Sequence, residues 1–152
     1  SPQENREIPP LDYARVARLK REHPLLQIVL NGGLMDVSVA EKAADEFDGV
    51  MLGRAAYHTP WLLAELEHRL YGTPLPDRIA AMLELRGYVE ARLRAGDRLA
   101  GIVRHWAGLA HGLPGARTFR RLLTEGSRAV DADWSVVAAA LSTLDHELAT
   151  AA

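Results

Sequence analysis

The sequence predicts two structural classes in series: a parallel α/β unit, then an all-helical region. Three observations carry this. Two short apolar runs, in QIVLNGGLMD (27–36) and DGVMLGRAAY (48–57), each stop at glycine and are separated by a helical pattern. Both are apolar throughout, as strands are when a parallel sheet is covered on both faces. After residue 72 only helical periodicity remains.

The elements follow in order. Leu11 to His23 carries apolar residues at Leu11, Ala14, Val16 and Leu19 and stops before Pro24, which predicts a helix. Leu26 to Leu30, bounded by Pro24 and by Asn31-Gly32-Gly33, predicts a buried strand. Asp36 suits the N-cap of a helix to about Phe47, and Ser38 with Glu41 offers a capping box one turn later. Val50 to Leu52 predicts a second strand, ended by Gly53; Pro60 opens a helix that closes at Gly72. Thr73 to Asp77 reads as a linker and helix start. Helices are then expected over 77–95, 97–111, 114–126 and 133–149, a small four-helix bundle, with Asp133 as a cap. Residues 1–72 and 73–152 form the expected domains. Two strands cannot close a barrel or make a stable sheet alone, so the α/β unit is expected to belong to something larger.

Composition excludes more than it selects. The 152 residues are 48% hydrophobic and 25% charged, with net charge −2. No apolar run approaches the ~20 residues of a membrane span. The opening SPQENREIPP is polar and proline-rich, unlike a signal peptide, and a cytoplasmic setting is expected. There is no cysteine, hence no disulfide or thiolate chemistry within the chain. Charge is unevenly spread: from Arg86 to Arg128 nine arginines face three acids (Glu90, Asp97, Glu125), and no lysine follows residue 72. The net charge does not point to nucleic acid or a membrane; arginine forks onto phosphates and stacks on bases, and a GC-rich genome also produces arginine at the expense of lysine.

The glycines mark a candidate site. Ligands of parallel α/β folds sit at the C-terminal ends of strands, and eight-stranded α/β barrels commonly hold phosphate after strands seven and eight. Glycine admits a phosphate close to the backbone, and turn N–H groups bind the anion. Asn31-Gly32-Gly33 and Gly53-Arg54 fall at two such ends. Either motif alone is also compatible with a simple tight turn or a paired arginine. The six histidines lack metal-like spacing and read as surface or packing residues; no metal is expected. Trp61, Trp106 and Trp134 read as core anchors.

SPQENREIPPLDYARV, IVLNGG, DGVMLGRAAYHTPWLL and GLPGARTFRRLL, in this order, strongly resemble the C-terminal half of the A-type tRNA-dihydrouridine synthases. The GLPGAR-x-x-RR stretch is the sharpest part of the match. The resemblance implies the last βα units of a flavin-binding TIM barrel (residues 1–72) followed by a helical tRNA-binding domain (73–152). It implies reduction of a tRNA uridine, in the D-loop, to 5,6-dihydrouridine by NADPH through FMN. It places FMN phosphate on Asn31, Gly32, Gly33, Gly53 and Arg54, and tRNA on positions 3, 6, 117 and 120, here Gln3, Arg6, Arg117 and Arg120. Gln3 departs from the lysine usual there. The family's general acid is a cysteine in the earlier half of the barrel. The expectation is therefore a C-terminal portion that needs the upstream half of the same barrel and is inactive alone. A non-catalytic RNA-binding module with a vestigial barrel stub is the alternative.

Overall fold

A computed structural model describes residues 11–144. Asp12 accepts a hydrogen bond from Arg15 N and opens α1, Tyr13–Glu22. Strand β1 is Val29–Asn31, α2 is Val37–Glu46, and β2 is Gly49–Met51. The strands pair in parallel, Val29 with Gly49, Leu30 with Val50 and Asn31 with Met51. A one-turn helix follows, α3 (Arg54–His58), then α4 (Trp61–Tyr71), closed by Gly72 at φ 69°. The remaining helices are α5 (Arg78–Glu84), α6 (Arg86–Arg94), α7 (Leu99–Val103), a 3-10 turn Trp106–Gly108, α8 (Ala116–Gly126) and α9 (Trp134–Leu141). No helix among the described residues is long and apolar enough to cross a membrane.

The expected order holds, α/β first and helices after, and the two-stranded parallel sheet is consistent with part of a barrel. Asp36 caps α2 through Val39 N and Asp133 caps α9 through Ser135 N. The Ser38–Glu41 capping box is corrected, because Glu41 instead accepts from Arg69 of α4 at 2.9 Å. The region after residue 77 is cut more finely than the four expected helices. The helix expected over 77–95 breaks at Leu85, whose N–H turns back to Met82 O, and Gly87, a poor helix former, lies two residues on. The helix expected over 97–111 stops after Val103. The 3-10 turn that follows lays Gly108 under the backbone carbonyl of His58, where a Cβ would collide.

Three apolar clusters hold the chain. Leu30, Leu34, Ala43 and Phe47 pack with Ala17 of α1 beside the sheet. Ala40, Ala55, Leu62 and Leu66 pack where α2 meets α3 and α4. The largest lies in the helical region around Ile79, Met82, Val89, Leu99, Phe119, Leu123 and Val137. Trp61, Trp106 and Trp134 are all buried, the last two edge-to-face at 6.4 Å.

Candidate functional site

The first glycine turn is built by contact with α1. Gly32 and Gly33 have φ of 111° and 68°, a region other residues rarely enter. The Tyr13 hydroxyl donates to the Gly32 carbonyl at 2.7 Å. A Cβ on Gly33 would approach that hydroxyl and Leu11 Cδ1 to 2.5 Å. Glycine here thus answers an internal demand as well as leaving room outside. Gly53 is different: its φ of −78° suits any residue, and only Met51 Sδ, at 3.8 Å, would neighbour a Cβ. The space left by its missing side chain is open.

Register then decides what the turns share. Asn31 pairs with Met51, so the residues following each strand emerge side by side. Asn31, Gly32, Gly33, Gly53 and Arg54 all line one hollow of about 210 Å³, with Leu34, Met35, Met51 and Ala55. Among the described residues no carboxylate lines it. Arg54 is exposed and makes no ion pair among the described residues, so its guanidinium is available to an anion. A larger hollow, about 520 Å³, lies elsewhere, on the open flank of β2 between α2 and α4. Its lining is mostly apolar (Val50, Leu52, Leu63, Leu66, Leu70), and it contains none of the glycine-turn residues.

The opposite end of β2 is tied by Asp48. Its carboxylate accepts from Lys20 Nζ at 2.5 Å and from Ile28 N at 2.8 Å. The Lys20 bond, then the Ile28 bond, lower its pKa below the ordinary carboxylate value. Lys20 also donates to Leu26 O at 3.1 Å, so one ammonium holds α1, the approach to β1 and the start of β2 together.

On the helical side, Arg117 and Arg120 lie exposed on α8, to one side of the buried face of Ala116, Phe119 and Leu123. Arg121 pairs with Glu125 at 3.3 Å. Glu90 takes Arg86 and Asp97 takes Arg92. All three acids of the arginine-rich stretch are thereby spent, while Arg94, Arg98, Arg104, Arg117, Arg120 and Arg128 have no ion pair among the described residues. Gln3 and Arg6 lie outside the described residues.

Sequence reasoning missed two groupings. Arg78, read only as the start of a helix, is buried, with 4% of its surface exposed. It donates to Glu65 Oε1 at 3.1 Å and to His111 O at 2.9 Å, and lies 4.7 Å over the Trp61 ring. Tyr57, His58, Arg104, His105, His111 and Arg120 line a cleft of about 340 Å³ where α3 meets the helical region. Each group joins segments far apart in sequence, 57–65 with 78 and 104–120, so no single motif could have revealed either.

Comparison with known proteins completes the description. The family model "Dihydrouridine synthase (Dus)" matches residues 1–146. A "tRNA-dihydrouridine(20/20a) synthase" of Xylella fastidiosa (strain 9a5c) is 50% identical over 147 residues, which is 97% of this chain and 43% of that protein. Proteins with the same name from Pseudomonas putida (strain KT2440) and Vibrio cholerae (strain El Tor Inaba N16961) are 49% and 41% identical. The matches cover 82% and 97% of this chain, and 38% and 46% of those proteins. The chain thus spans less than half the length of these relatives.

Proposed function

Because the chain belongs to the dihydrouridine synthase family, we propose that it carries two working parts of a tRNA-dihydrouridine synthase. One is the barrel end that grips the phosphate of FMN; the other is a helical surface that docks tRNA. The reaction is reduction of a D-loop uridine, at the 20/20a positions in the relatives' name, to 5,6-dihydrouridine with NADPH, in the cytoplasm. Residues 1–72 supply the last barrel units and 73–152 the docking domain. The remaining barrel strands flank the outer edges of β1 and β2.

The residues present fit the phosphate end of the cofactor. Arg54 brings an unpaired cation, and the Gly32-Gly33 and Gly53 turns leave the backbone open to a close oxygen. At about 210 Å³ the hollow is below the ~300–1,000 Å³ of sites that enclose whole ligands. It suits a phosphate and the start of the chain that bears it, and leaves the flavin ring to residues outside this hollow. Bound FMN supplies the hydride that reduces the uracil. This chain's residues anchor and orient; with no cysteine, it does not hold the acid the family resemblance calls for. Arg117 and Arg120, and Arg6 and Gln3 before α1, take the tRNA, mainly by phosphates, which position the RNA without reading its sequence.

The observation that carries this reading is that five residues from two strand ends line one hollow, with no carboxylate in it among the described residues. Amide NMR of the chain titrated with FMN tests it. Gly32, Gly33 and Gly53 should shift with FMN and not with riboflavin, which lacks the phosphate. Unmoved glycines at millimolar FMN would overturn the reading and favour the docking module without flavin.

A further inference from the structure

The cleft between α3 and the helical region has the chemistry of a nucleotide site. Two arginines, Arg104 and Arg120, line it, and neither has an ion pair among the described residues. Among the described residues no carboxylate lines it. Tyr57 is 61% exposed and meets the rings of His58 and His105 edge-on, at 5.4 and 4.8 Å. Exposed aromatic rings beside unpaired guanidinium groups match the two halves of a nucleotide: a flat base to stack and a phosphate to fork.

The walls are held in advance. Gly108 sits under the carbonyl of His58, which fixes the 3-10 turn against α3. Arg78 holds the carbonyl of His111 at 2.9 Å, so the backbone that presents the His111 ring is anchored. A preformed site loses less ordering entropy when its ligand arrives. The volume of about 340 Å³ has room for one nucleotide and not for a duplex.

We propose that this cleft binds a single unstacked nucleotide of the RNA, its phosphate on Arg104 and Arg120 and its base against Tyr57. The assignment rests on the RNA-docking reading above and adds Arg104 and a stacking contact on Tyr57 to the α8 arginine Arg120. The test is fluorescence anisotropy of the 152-residue chain with a tRNA transcript over a series of salt concentrations. Arg104→Gln should weaken binding and lower the salt slope by about one. Tyr57→Leu should weaken binding about fivefold or more with the slope unchanged, because stacking releases no counterions. Arg18→Gln on α1, which removes the same charge from an i,i+4 pair with Glu22, should change neither. Thermal melts of each variant verify that folding is kept, and Arg104, exposed and unpaired, gives a second variant free of packing. If Arg117→Gln weakens binding while Arg104→Gln and Tyr57→Leu do not, the cleft assignment falls and the docking reading stands. If the unsubstituted chain binds no tRNA, the docking reading falls and takes this assignment with it.

Discussion

Arg78 shows how much one side chain can join. Its guanidinium serves Glu65 on α4 and the carbonyls of Leu109 and His111, while its face covers Trp61. Burial pushes its pKa down and Glu65 opposes that; a guanidinium is not deprotonated in proteins, so the group is charged at neutral pH. Its Nε finds no hydrogen-bond partner among the described residues. Removing one member of a buried pair costs about 3–5 kcal/mol, and Glu65 still reaches water, so Arg78→Ala should cost roughly 2–3 kcal/mol in urea unfolding. Arg78→Lys should recover less than half of that, since an ammonium cannot fork to several acceptors and stack at once. Nothing near Arg78 in sequence marks this role, because its partners lie at positions 61, 65, 109 and 111. Asp36 and Asp133 were legible for the opposite reason: a cap bonds two or three residues on, within the range a motif can show.

Elements show the same division between local and distant causes. Both strands were readable from apolar runs between breakers, and the glycine ends located the candidate hollow. Helix α3 was not readable: five residues after Gly53 carry too little periodicity. The break at Leu85 and the short α7 were missed because tertiary packing, including Gly108 against His58, overrides a continuous helical pattern. At this scale Asp48 is the fastening between α1 and the two strands. Its pKa is lowered in the folded chain, so its contribution is present above the ordinary carboxylate pKa of about 3.9 and is lost as pH falls through the folded value. Asp48→Asn should therefore lower the melting temperature at neutral pH. The gap between variant and parent should begin to narrow as pH falls below about 4 and close only below the lowered folded value, where the parent's carboxylate is protonated too. A gap that stays constant down to strong acid would assign the loss to geometry and not to the Lys20 pair.

For the whole molecule, the unequal distribution of core decides how the chain behaves alone. The helical cluster has many buried side chains, from Ile79 through Leu144, while the sheet is two strands of three residues. Outer edges of such a sheet present unpaired backbone groups, and isolated strand pairs are marginal in water. The side chains around them invite association: Val29 is 58% exposed, Met51 47%, Leu26 53% and Leu25 98%. Sedimentation velocity of the 16.7 kDa chain should show a mass that rises with concentration. Val29→Lys should reverse this, because a charge on an edge strand opposes pairing with another chain. The residue faces outward and supports little of the core, so its replacement should leave the melting temperature nearly unchanged. A monomer at all concentrations would mean that the α/β edges are closed by the chain's own residues. Association that survives Val29→Lys would move the contact to another face, such as the apolar flank of β2 lined by Leu52, Leu63 and Leu70.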